Sequence, residues 1–170
     1  MRRKKTVLFL AFASWLLLAV AWIMAFYTYP RLPQKIPLWL PFSGQQVVNF
    51  DKSPLFFIYP LAQTLFYIAF WLLSRFTFSR DLSKEKKSFI RDGSDEKLLA
   101  DLGKEFVYLA LIFFNLIFIH LQRSIILLAH QVEKGVDEFY FYTLFGILLL
   151  LIPYYRLRVK LIKKSQKYQF

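Results

Sequence analysis

Val7–Tyr27 reads VLFLAFASWLLLAVAWIMAFY, an unbroken apolar run that follows the basic start MRRKK. About 21 residues rising ~1.5 Å each extend roughly 30 Å, the thickness of the bilayer hydrocarbon. A secretory signal peptide opens with the same basic residues, but its apolar body is only ~7–15 residues long. The run is therefore read as an uncleaved first membrane span. Cleavage beside the small residues Ala19 or Ala21 is the alternative.

Three further apolar runs follow. Ser53-Pro54 offers a polar cap and a proline at the first helical position, where the missing N–H has no helical partner to lose, and 55–73 continues without a charge. Pro60 lies inside this second span, where it should loosen or kink the helix. The third run, 106–128, and the fourth, 139–155, are separated by a short reversal at 133–138, with Asp137 as the candidate cap of the fourth. Between the second and third runs the composition turns charged. Leu98, Leu99, Leu102 and Phe106 then recur at the spacing of one helical face, so a helix starting near Ser94 or Asp95 is expected to lead into the third span.

Composition agrees with lipid as the solvent: 57% of residues are hydrophobic and 20% aromatic, more apolar surface than a 170-residue soluble core hides. The expected fold is all-α, a polytopic bundle of four transmembrane helices. Its parts are an N-terminal membrane domain at 1–75 with an outer loop at 28–54, a charged loop and amphipathic lead-in at 76–105, spans three and four at 106–155, and a basic tail at 156–170. The net charge is +12. Because the basic residues flank apolar runs, it is assigned to orientation in the bilayer, and no nucleic-acid partner is expected. Eighteen Lys and Arg fall before Val7, in 75–104 and after Tyr155, against four (Arg31, Lys35, Lys52 and Lys134) on the other side. Both termini should thus be cytoplasmic, in a cell membrane, with the first loop facing outward.

That outer loop and the start of the second span, YPRLPQKIPLWLPFSGQQVVNFDKSPLFFIYP at Tyr29–Pro60, hold six of the seven prolines and cannot be one continuous helix. Within it Leu32, Pro33, Ile36 and Pro37 form Leu-Pro-x-x-Ile-Pro. Gly44 follows eight residues after Ile36, Lys52 eight after Gly44, and Pro60 eight after Lys52, with Ser43 beside the glycine. This pattern resembles the SdpI-like family of bacterial multi-spanning membrane proteins, across roughly the first 75 residues. Trp39, Pro41 and Val47 stand where the family carries histidine, an asparagine-like residue and aspartate, so Lys52 is the polar member that remains. The resemblance implies a membrane protein without catalytic chemistry, a degenerate member of a family whose named branch protects the cell from a membrane-active peptide and relays its presence inward.

Candidate sites follow from residues that are costly where they stand. Asn115, His120, Gln122 and Arg123 lie in the third span, and at ~100° per residue they share an arc of about 160°. Intramembrane polar groups turn toward partners or a wet cavity. This face is expected to point into the bundle, either as a polar pocket with Arg123 paired to Asp51, Glu133 or Asp137, or as helix cross-links with Arg123 snorkelling to the interface. His120 and His130 are too far apart for a helical ligand pair, and cysteine is absent, so no metal is expected. Asp51, Lys52 and Ser53 are consecutive and read as a cap. No converging nucleophile, base or phosphate loop is seen, so neither an enzyme nor a cofactor is expected. The expected partners are the lipid bilayer, an envelope peptide or protein ligand at the outer loop, and a protein partner in the membrane or at the cytoplasmic loop. A transporter component is the least favoured reading.

Overall fold

The computed structural model describes the backbone of residues 2–37, 48–85, 93–132 and 137–167, and the side chains of 5–37, 48–74, 99–132 and 137–162. The chain is mostly helical. Helix α1 covers Arg2–Thr28, α2 Ile58–Glu85, α3 Gly93–Ala129 and α4 Glu138–Lys167. Between α1 and α2 come a 3-10 turn at Tyr29–Arg31, strand β1 at Lys35–Pro37, strand β2 at Asn49–Asp51 and a second 3-10 turn at Pro54–Phe57. Among the described residues, three segments are long and apolar enough to cross a membrane: Lys5–Arg31, Pro54–Ser74 and Leu99–Ala129. The expected fourth span lies in α4, whose apolar part carries four tyrosines, Gly146 and Pro153.

The helices outrun the apolar segments. Helix α2 continues past Leu73 to Glu85, and α4 passes through Pro153 into the basic tail as far as Lys167. A proline removes one backbone bond and crowds the preceding turn, yet the turns on either side are intact, so the tail expected after Tyr155 is an extension of the last helix. Helix α3 is one rod of 37 residues, about 55 Å long at ~1.5 Å per residue. The expected lead-in is its first three turns, and buried Gly103 does not interrupt it.

Helix α3 stops through its own backbone. Gln131 N–H donates to Leu128 O (3.0 Å) and Val132 N–H to Leu127 O (2.9 Å), with Gln131 at φ 58°. This pair of bonds around a left-handed residue is the Schellman closure, which glycine usually makes. Asp137 caps α4 as expected, its Oδ1 accepting from Tyr140 N at 3.2 Å. Ser53 Oγ accepts from Leu55 N at 3.3 Å, ahead of Pro54. Pro60 is the third residue of α2, immediately after the 3-10 turn. The irregularity expected at Pro60 therefore sits in the first turn of α2, at the end next to the loop.

Helix α3 is the axis of the bundle, with contacts to each of the other three. Ser14 and Ala21 of α1 meet Asn115 and Gln122 of α3, so these two helices run parallel. Trp22 meets Thr64 while Ser14 meets Tyr67, which sets α2 antiparallel to α1. Phe106 and Glu105 meet Tyr155 and Arg158, so α4 runs antiparallel to α3. Ser14, Leu18, Ala21 and Ala25 are all buried on one α1 stripe. Three of the four are small, and small residues let helix backbones approach closely where lipid supplies no hydrophobic drive.

The outer loop departs from an all-helical fold by a two-stranded antiparallel ribbon pairing Lys35 with Asp51, Ile36 with Phe50 and Pro37 with Asn49. Strand β2 is exposed, whereas Ile36 and Pro37 of β1 are buried. Ile36 has no exposed surface and packs with Leu32, Ala25, Phe56, Ile125 and Ala129. The ribbon plugs the end of the bundle between α1, α2 and α3.

Candidate functional site

The buried polar residues of the described chain are Ser14, Gln63, Asn115, His120, Gln122 and Ser124. Asn115 is the hub. Its Oδ1 accepts from Gln63 Nε2 at 2.7 Å, and its Nδ2 donates to the backbone oxygen of Ser14 at 2.9 Å. Ser14 Oγ donates to Ala11 O at 2.8 Å and lies 3.0 Å from Tyr67 Oη. Two turns higher, Gln122 Nε2 donates to Ala21 O at 3.2 Å. The two α3 carboxamides are seven residues apart, and so are their α1 acceptors. A shared seven-residue step is what two helices crossing at a shallow angle maintain. Trp22 Nε1 donates to Thr64 Oγ1 at 2.9 Å, and Thr64 Oγ1 to Pro60 O at 2.7 Å, tying α1 to α2 at the same depth.

The arc expected on α3 divides. Asn115 and Gln122 turn to α1 and α2, while His120 is buried on the other side. Its Nε2 lies 3.2 Å from Asp137 O, and its ring centroid is 4.6 Å from that of Tyr140 at the start of α4. Arg123 is exposed, so it does not line the interior with the other three. Gln63 Oε1, Gln122 Oε1 and His120 Nδ1 are buried without a hydrogen-bond partner. Each such group costs about 1–3 kcal/mol when buried from water.

Sequence reasoning missed Ser14, Gln63 and Tyr67. Gln63 left a signal, an amide inside the uncharged run 55–73. Ser14 left none, because the atom that Asn115 uses is its backbone oxygen.

At the outer end Lys52 turns back on its own loop. Its Nζ donates to Pro30 O and Leu32 O, both at 3.1 Å, 5.2 Å from the Tyr29 ring centroid. Lys52 N–H also donates to Gln34 O at 2.6 Å. Leu32, Ile36, Pro37 and Pro60 are buried and Pro33 is exposed. The pattern residues Ser43 and Gly44, with Trp39, Pro41 and Val47, lie outside the described residues, as do Glu133 and Lys134. Beneath the ribbon, Trp22, Phe26, Tyr29, Phe56 and Phe57 form a ring layer, with centroid separations from 5.0 Å (Tyr29–Phe57) to 6.4 Å (Trp22–Phe57).

Chemically, the interior set contains amides, hydroxyls and one imidazole: Gln63, Asn115 and Gln122 donate to other helices, Ser14 Oγ donates within α1, and Gln63 Oε1, Gln122 Oε1 and His120 Nδ1 are left unused. Among the described residues no group of three or more His, Asp or Glu could hold a metal ion. Comparison with known protein families, with characterised proteins and with solved structures returns no match.

Proposed function

We propose that the chain is a non-enzymatic bacterial cell-membrane protein with four transmembrane helices and both termini in the cytoplasm. In this reading α4 is the fourth span. The ribbon-capped outer end meets an envelope peptide or protein, in a protective or sensing role like that of the SdpI-like family. Two features support the topology: helices of alternating direction, and eighteen basic residues on the side holding both termini against four on the other. The observation that carries the functional reading is Ile36, seated without exposed surface among the ends of α1 and α3 and the 3-10 turn that leads into α2. A ligand pressing on the ribbon would act directly on the packing of three spans. In such a mechanism Lys52 and the prolines shape the platform, while Asn115 and Gln122 transmit its position by fixing α3 against α1.

The test is growth protection. The wild-type chain, expressed in a sensitive bacterium challenged with membrane-active peptides, should raise survival. Ile36→Ser and Gly44→Val should abolish the effect at equal membrane levels. Wild-type protection in both variants would refute a role for the outer end.

A second reading, an interaction subunit of a larger membrane complex, is favoured by α4, which packs chiefly against α3 and leaves Tyr142, Phe145, Leu149 and Ile152 exposed. A stoichiometric protein partner retained in mild detergent, and lost on Leu149→Trp, would support it over the first.

A further inference from the structure

Beyond Pro153, the described part of α4 presents three sectors. Tyr155 and Arg158 face α3, where the Phe106 and Tyr155 rings are 4.9 Å apart and Arg158 Nη1 meets Glu105 Oε1 at 3.0 Å. Leu157 and Leu161, 59% and 65% exposed, continue the apolar stripe of Leu150 and Tyr154. Arg156 and Lys160, both exposed, stand next to those leucines on the side away from α3.

This combination matches one surface. Leucines left in water would be unfavourable by about 25 cal/mol per Å², and cations beside them repel one another unless an anionic plane faces them. A headgroup layer supplies both a hydrocarbon edge and phosphate charge. Leu161 lies about 12 Å along the helix from Pro153 at ~1.5 Å per residue, within reach of a headgroup layer. The Arg158–Glu105 pair turns one cation inward and holds the helix to α3.

We infer that the C-terminal part of α4 is an anionic-phospholipid binding surface, on which Leu157 and Leu161 enter the acyl edge while Arg156 and Lys160 engage headgroup phosphates. The inference rests on the proposed orientation for its leaflet, the cytoplasmic one. It gives the basic end a binding role in addition to setting topology.

The chain has no cysteine, so Leu161→Cys carries a single environment-sensitive fluorophore on the full-length protein in nanodiscs. Its emission should shift to the blue as phosphatidylglycerol replaces phosphatidylcholine, while a Phe139→Cys reporter at the other end of α4 should not respond. With Arg156→Gln and Lys160→Gln together, roughly 1 kcal/mol lost per basic residue near an anionic surface makes the attraction about thirtyfold weaker, so the shift should not reach half its wild-type size even in pure phosphatidylglycerol. Equal emission in both lipids would overturn the inference. So would a shift in phosphatidylcholine that grows with the number of chains per disc, which would mark a second copy as the occupant. Both disc leaflets carry the same lipid, so this result is independent of orientation. Labelling Leu161→Cys in intact cells with an impermeant thiol reagent tests the leaflet separately: modification only after permeabilisation supports the cytoplasmic side, and modification of intact cells overturns it.

Discussion

Asn115 shows what a single amide does in a setting where apolar contact with a neighbouring helix gains little over apolar contact with lipid. It uses both ends of its carboxamide, accepting from Gln63 and donating to Ser14 O, and so joins three helices at one depth. Hydrogen bonds between membrane helices are worth about 0.6 kcal/mol on average and up to ~2. Asn115→Leu should therefore destabilise the bundle by about 1–2 kcal/mol in a reversible detergent unfolding assay. In a double-mutant cycle with Gln63→Leu the coupling should be about 0.5–1.5 kcal/mol, and additive losses would mean that the two amides do not act together. The same residue marks the limit of what sequence discloses. That Asn115 and Gln122 turn inward is legible, because amides in hydrocarbon need partners. Their acceptors on α1 are not, because a backbone carbonyl is present at every position and no side chain announces which one is used. His120 parted from them because an arc of about 160° is wide enough to touch helices on two sides of α3.

The elements divide by how local their causes are. Apolar runs long enough to span a bilayer are set by lipid thickness, and those of α1, α2 and α3 are legible almost to their ends. Two features were not. The ribbon has three residues per strand, contains Pro37, and pairs segments separated by more than ten residues, so neither alternation nor a tight turn signals it. The extension of α2 and α4 through charged residues arises from helix continuity, which hydropathy does not measure. At this scale two substitutions have opposite signs. Gln131, at φ 58°, bears a left-handed penalty of about 1 kcal/mol that glycine lacks, so Gln131→Gly should raise stability by roughly that amount in thermal unfolding in detergent. Ile36→Ala should lower it by about 2–5 kcal/mol by opening a cavity under the ribbon, and faster hydrogen exchange at the Lys52 amide, bonded to Gln34 O, should report the loosened cap.

At the scale of the whole molecule, the polar cross-links and the ribbon belong to α1, α2 and α3, while α4 contributes one clasp at His120, near the ribbon end, and another at Arg158, at the opposite end. A chain ending at Val132 should accordingly keep the Gln63–Asn115–Ser14 connection and a protected Lys52 amide, at reduced stability. Loss of that protection would show that α4 is integral to the cap.

The parallel pairing of α1 with α3 has a consequence for the order in which the protein can be assembled. Every polar side-chain atom that α1 places toward α3 is already served within α1 or by α2: Ser14 Oγ donates to Ala11 O, Thr28 Oγ1 to Met24 O, and Trp22 Nε1 to Thr64. The carbonyls of Ser14 and Ala21 also have a second lone pair to offer. With α2 beside it, helix α1 can therefore enter lipid without stranding these donors. Helix α3 cannot, since Asn115 and Gln122 carry amide hydrogens that hydrocarbon does not accept. Synthesis from the N terminus delivers acceptors first and donors about a hundred residues later, so the helix that needs a partner emerges into a membrane where that partner is waiting.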